Sequence, residues 1–141
     1  MIQALEHVGL SVSDMERSLA FYRDFLGMEK IMDINAENEL IGRIIGIRNA
    51  KCRIVHLKLG QMVLELFCYS NPPGKNKAYE MRQCDHGLTH IGFKVTGFHK
   101  LIEKLKKRNI EFLGEPVEFR PGVWVVYFRG PDGEVCEFRQ S

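Results

Sequence analysis

One short pattern occurs twice in this chain. Leu5-Glu6-His7-Val8-Gly9-Leu10-Ser11-Val12 returns as Leu88-Thr89-His90-Ile91-Gly92-Phe93-Lys94-Val95. The shared form is Leu, any residue, His, a β-branched residue, Gly, a large apolar residue, any residue, Val. An amphipathic helix pattern follows each copy. Each half then ends in a β-rich run with one glutamate among apolar residues: Val63-Leu64-Glu65-Leu66-Phe67 and Val135-Cys136-Glu137-Phe138-Arg139. Such self-similarity means one supersecondary unit built twice. Each copy offers one His and one Glu, and two imidazoles with two carboxylates form a plausible divalent-metal set.

The first copy alternates. Leu5, His7, Gly9 and Ser11 share one strand face; Glu6, Val8, Leu10 and Val12 share the other, mainly apolar one, which should pack on a helix. Ser13 as N-cap with Glu16 three residues on predicts a capping box. The helix should run through Met15, Leu19, Phe21, Tyr22, Phe25 and Leu26, with Gly27 at the left-handed position after it. From about Met28 to Ile34 the pattern is extended. Asn35 to Ala50 has neither period and is expected to be loop with a possible short helix. Strands at about Cys52–Leu59 and Met62–Tyr69 follow, joined by Gly60-Gln61, a type II′ hairpin signal. In the second of these, Met62, Leu64, Leu66 and Cys68 form the helix-facing side. Glu65 lies on the opposite face, as His7 does.

Ser70 to Lys77, with Pro72-Pro73-Gly74, is the clearest break. It divides the chain into module one (1–70), a connector (71–86) and module two (87–141) of a single domain. In module two, Ile91, Phe93 and Val95 form the apolar face and His90 lies opposite. Phe98, Leu101, Ile102 and Leu105 form an i, i+3, i+4, i+7 helical stripe. Strands are expected at Ile110–Leu113 and Val123–Arg129. A Pro131-Asp132-Gly133 turn leads to the last strand. Both modules read β-α-β-β-β, and the fold class is α+β with two tandem modules.

Composition excludes several partners. The 20 basic and 18 acidic residues nearly cancel, which gives no reason to expect nucleic acid or an anionic membrane. Lys104, Lys106, Lys107 and Arg108 fall on the predicted second-module helix and should form a solvated face. No apolar run approaches the roughly 20 residues of a membrane span, and no signal peptide pattern precedes the first strand. Cys52, Cys68, Cys84 and Cys136 have no C-x-x-C spacing, which suits free thiols in a reducing cytoplasm.

Taken singly, a histidine near a strand start or a glutamate in a strand is ordinarily structural or solvated. Glu65 is unusual because Leu64, Leu66 and Phe67 surround it, and a carboxylate there needs a partner. The set is more specific than its parts. His7, Glu65, His90 and Glu137 fall on the non-helix faces of their strands at equivalent places in two copies. If the two sheets curve toward each other with pseudo-twofold symmetry, the four converge. His56, His86 and His99 have no partner in the repeat and are expected to be surface or structural residues; Trp124 is expected in the core or a pocket wall.

The run His7 to Met28, the Leu64-Glu65-Leu66 segment, Gly87 to Phe93, and Gly130 to Glu137 together resemble the vicinal oxygen chelate superfamily. That superfamily includes glyoxalase I, methylmalonyl-CoA epimerase, extradiol dioxygenases and fosfomycin or bleomycin resistance proteins. The resemblance covers nearly the whole chain. It implies paired modules forming a cup around a divalent metal (Ni, Zn, Co, Mn or Fe), with His7, Glu65, His90 and Glu137 as ligands. It also implies a small-molecule substrate and a homodimer. Four ligands including Glu65 look more like glyoxalase I than like the two-His, one-Glu iron site of extradiol dioxygenases. The expectation is therefore a metal-dependent isomerase or lyase acting through an enediolate, with Glu137 as the main base and Glu65 as ligand or second base. Ser11 and Tyr69 stand near the places where bacterial glyoxalase I-like members carry an Arg and an Asn that hold glutathione. A methylmalonyl-CoA epimerase-like enzyme is the alternative reading, with a dioxygenase-like enzyme or a drug-binding resistance protein as a third.

Overall fold

The computed structural model describes residues 1–141. The chain divides into two compact units, Met1–Lys75 and Asn76–Ser141.

The first unit contains β1 (His7–Ser11), α1 (Met15–Leu19) continuing as a π-helical segment (Ala20–Phe25), β2 (Glu29–Ala36), α2 (Glu39–Ile45), β3 (Lys51–Leu59) and β4 (Met62–Asn71). Its sheet has the order β1-β4-β3-β2. β1 and β4 run parallel, and β3 is antiparallel to both β4 and β2. Parallel neighbours cannot be joined by a tight turn, so the chain crosses over through a helix before β4 returns to β1.

Asp14, not Ser13, is the N-cap of α1: its Oδ1 accepts from the Arg17 amide at 3.1 Å. Ser13 Oγ accepts from the Arg17 guanidinium at 2.9 Å. An aspartate one residue nearer the helix caps as well as serine does, and its charge also suits the positive helix end. Glu16 pairs instead with Arg53 of β3. The helix ends as expected, with Gly27 at φ +78° after Leu26. The wide final turn, in which the Leu26 amide reaches the Phe21 carbonyl at 2.9 Å, was not legible in the sequence.

The segment without a clear period holds α2. Asn38 caps it, accepting from the amides of Leu40 and Ile41, and Gly46 closes it at φ +72°. Only Ile41 of this helix is buried, while Leu40 and Ile44 face outward, so no apolar stripe marked it. The β3–β4 hairpin turns at Gly60, with φ +61°, and Gln61 keeps an ordinary negative φ, the combination of a type II′ turn. Val55, Leu57, Leu64 and Leu66 are buried on the side where α1 packs on β4, as are Leu19 and Tyr22 of the helix. On the alternate residues, Cys52 and Ile54 pack with Ile41 of α2 and with Ala50, beside Met32, Phe67 and Tyr69. Thus α2 walls the face that also carries His56 and Glu65.

The second unit repeats the plan without the inserted helix: β5 (Ile91–Lys94), α3 (Phe98–Lys107), β6 (Val117–Arg120), β7 (Val123–Arg129) and β8 (Val135–Gln140), in sheet order β5-β8-β7-β6. β5 and β8 are parallel, as β1 and β4 are. In α3 the apolar stripe is real: Phe98, Ile102 and Leu105 are buried, each worth about 1.5–3 kcal/mol. Gln140 at the end of β8 accepts from the Phe98 amide at 2.9 Å and so takes the place of a local cap. Lys104, Lys106, Lys107 and Arg108 are exposed, as expected.

The strand expected at Ile110–Leu113 is reduced to one bridge, Phe112 with Phe128. The pairing edge resumes further on as β6, which the sequence did not reveal. Gly114 and Pro116 interrupt the edge between the two pieces, and proline has no amide to give a ladder. All four β6 residues are exposed, so no in–out alternation marks them. No helix is long and apolar enough to cross a membrane. None of the four cysteines is in a disulfide, and Cys52 and Cys136 are buried.

Candidate metal centre

The repeat in the sequence becomes a repeat in space. In the first unit the parallel register sets Gly9 opposite Glu65, and His7, the first residue of β1, reaches across the pair. His7 Nε2 lies 3.5 Å from Glu65 Oε2. In the second unit Gly92 is opposite Glu137, and His90, just ahead of β5, reaches across in the same sense. His90 Nε2 lies 3.1 Å from Glu137 Oε2. At Gly9 an added Cβ would meet only the Phe67 ring, 3.8 Å away. An added Cβ on Gly92 would stand 3.5 Å from Glu137 Oε2.

The carboxylates are largely withdrawn from water, at 16% side-chain exposure for Glu65 and 15% for Glu137. Charges in that position need partners. The far sides of the imidazoles indicate what kind of partner. His90 Nδ1 is 3.1 Å from Gln83 Oε1 and 3.0 Å from Thr89 Oγ1. Gln83 in turn donates from Nε2 to the Thr89 carbonyl at 3.0 Å, which fixes its amide so that Oε1 faces the ring. An amide oxygen only accepts, so Nδ1 carries the hydrogen. His7 shows the same arrangement, with Nδ1 3.3 Å from Glu6 Oε2. In a neutral ring each Nε2 then presents a lone pair to a carboxylate oxygen. That contact is favourable only with a positive centre between them, a second proton or a cation. An imidazole held through Nδ1–H by an acceptor is the usual state of a metal-ligating histidine.

His56, expected to be a surface or structural residue, belongs to this site. It lies directly opposite Glu65 across the β3–β4 hairpin, and its Nε2 is 2.8 Å from Glu65 Oε1. His7 and His56 therefore engage different oxygens of one carboxylate. Tyr127 of β7 holds the corresponding place opposite Glu137. Its ring packs edge-on to His90, centroids 4.9 Å apart. Burial, aided by the Glu137 charge, raises the Tyr127 phenol above its ordinary pKa. His99 packs edge-on against Phe98 and Trp124, in keeping with the surface or structural role expected of it. Gln83 was hidden in the polar connector, where no periodicity or repeat points to it.

Each unit by itself offers a His–Glu pair. No group of three or more His, Cys, Asp or Glu side chains in the structure is placed to hold a metal ion. Within each pair the donor types, an oriented imidazole nitrogen and a carboxylate oxygen, are of the kind that borderline divalent cations take.

A sequence model of the Glyoxalase/Bleomycin resistance protein/Dioxygenase superfamily matches residues 4–138. The chain belongs to this superfamily. Its α+β architecture of two repeated modules is the glyoxalase-family fold. A glyoxalase family protein from Bacillus cereus superposes with a TM-score of 0.91, covering 99% of this chain and 95% of its own, at 20% identity. The uncharacterized protein YwkD of Bacillus subtilis is 28% identical over 134 residues, 94% of this chain and 92% of YwkD. Human mitochondrial methylmalonyl-CoA epimerase is 25% identical over 143 residues, 97% of this chain and 73% of the epimerase.

Proposed function

We propose that the two His–Glu pairs serve one divalent cation and that the chain is a metal-dependent isomerase or lyase of the glyoxalase I type. His7, Glu65, His90 and Glu137 are its ligands. The observation that supports this most is the matched setting of the imidazoles. In both units Nδ1 is held by an acceptor while Nε2 is aimed at a half-buried carboxylate. Bound there, Ni, Zn, Co, Mn or Fe would act as a Lewis acid toward a substrate carbonyl.

The carboxylates supply the proton transfers. Glu137 removes a proton from the carbon α to the carbonyl, and the C–H electron pair moves into an enediolate. The same carboxylate then returns the proton to the former carbonyl carbon while the hydroxyl proton passes to the former carbonyl oxygen, which completes an isomerisation without loss of atoms. A base of this kind contributes about 10²–10⁴ in rate. Glu65 stays on the cation or acts as a second base.

The substrate separates two readings. A hemithioacetal of a 2-oxoaldehyde is the glyoxalase I-type substrate. A 2-substituted acyl-CoA thioester is the epimerase-type substrate, and the likeness to human methylmalonyl-CoA epimerase favours it. An epimerase needs bases on both faces of one carbon, and Glu65 with Glu137 would supply them. Each substrate class, incubated with metal-loaded protein in deuterated water, should distinguish these readings. Deuterium gain with product formation from one class identifies the reaction. If neither class gives product or exchange with protein carrying its metal, the proton-transfer reading is overturned.

A homodimer is the assembly we propose, with each site drawn either from one chain or from two. Mixing an inactive His7→Ala protein with an inactive Glu137→Gln protein separates the cases. If sites are shared between chains, a mixed dimer regains one intact site. If each site lies within one chain, no mixture recovers activity.

A further inference from the structure

We propose that His56 is a positioning residue that fixes Glu65 as a one-oxygen metal ligand and so leaves Glu137 as the base; this rests on the metal-site reading above. The basis is a difference between two otherwise equivalent half-sites. Both glutamates face a parallel-strand glycine and meet a histidine Nε2 through Oε2. On their other flank the antiparallel register places His56 beside Glu65 and Tyr127 beside Glu137. His56 Nε2 reaches Glu65 Oε1 at 2.8 Å, shorter than the 3.5 Å from His7 to Oε2. Oε1 is thereby occupied as an acceptor, and Oε2, turned toward His7, is the oxygen left for a cation. Tyr127 turns its ring onto His90 instead.

The surroundings support a fixed His56. It sits in the middle of β3, flanked by Glu65 on β4 and Met32 on β2, with the α2 cluster on the same sheet face. A carboxylate held at both oxygens by two rings loses the freedom to rotate that a proton carrier needs. Glu137 meets a single ring and keeps that freedom. The inserted helix α2 and His56 are thus features of the first unit alone, and they make a duplicated site asymmetric.

The test is Co²⁺ affinity by calorimetry on the full-length protein, with circular dichroism confirming the fold. Five proteins are compared: wild type, His56→Gln, His56→Tyr, His56→Ala and Tyr127→Phe. His56→Gln keeps an N–H donor and should hold affinity within about threefold of wild type. His56→Tyr installs the residue that the second unit carries at this register, so the sheet should accept it. Its affinity should fall about 10–100-fold, the scale of a lost orienting contact. Tyr127→Phe should bind like wild type. A folded His56→Tyr protein with wild-type affinity would overturn the role of His56 while leaving the metal site intact. Should His56→Tyr not fold, a loss of affinity in folded His56→Gln equal to that in folded His56→Ala would overturn it instead. Wild-type protein that binds no Co²⁺ would overturn the metal reading itself, and the role of His56 with it.

Discussion

Glu137 lies directly across the β5–β8 pair from Gly92, close enough that an alanine methyl at Gly92 would stand 3.5 Å from its Oε2. That spacing is ordinary van der Waals contact, so Gly92→Ala should fold and bind divalent metal nearly as wild type does. A branched side chain would reach into the carboxylate. Gly92→Val should therefore keep its melting temperature within a few degrees but lose about tenfold or more in metal affinity. Calorimetric titration alongside a thermal melt checks both halves of the expectation.

Gln83 is the acceptor that orients His90, and the Thr89 carbonyl pins it in turn. Gln83→Leu removes both contacts with little change in bulk. Metal affinity should fall about 10–100-fold, while far-ultraviolet circular dichroism stays unchanged. Gln83→Glu restores an acceptor and should recover most of the loss.

Asp33 is held well below the ordinary carboxylate range, first by hydrogen bonds from Arg53 and then by those from Lys30. A depressed pKa stabilises the fold wherever the carboxylate is ionised in both states. The contribution is full above about pH 5 and is lost as pH falls through the carboxylate range toward the folded pKa. Asp33→Asn should cost about 1 kcal/mol at neutral pH, the upper end for a partly exposed network. The gap between variant and wild type should narrow steadily below about pH 4. Urea melts across that range measure it.

Gly133 in the β7–β8 turn takes φ +88°, and a Cβ there would overlap the Tyr79 ring. Tyr79 also lies under the Arg129 guanidinium, 4.5 Å from its centre. Gly133→Ala should destabilise the protein by about 1–3 kcal/mol. Adding Tyr79→Ala should return only part of this, because the backbone strain remains when the ring is gone.

The parts of this fold legible in the sequence were those with two-sided patterns. β1, β4 and β8 alternate, α3 carries an unbroken stripe, and Gly60-Gln61 announces its turn. The same turn also held an unread signal. A two-residue hairpin loop pairs Leu59 with Met62, and equal steps back from that pair bring His56 opposite Glu65. A repeat marks only what the modules share, and His56 belongs to one module alone. Exposed elements were hidden for another reason. α2 buries one residue and β6 none, so neither leaves a periodic trace. At α1 two competent caps stand side by side, and the choice of Asp14 over Ser13 depends on how the chain leaves β1.

In the proposed site the pairs His7–Glu65 and His90–Glu137 serve the same cation. Calorimetric titration of Co²⁺ into wild type, His7→Ala and His90→Ala tests it most directly. One ion per chain is expected in wild type, with a loss of at least about 100-fold in affinity when either histidine is removed. Either variant binding Co²⁺ with wild-type affinity and stoichiometry would contradict it, because the pair that remained would then be sufficient without the other.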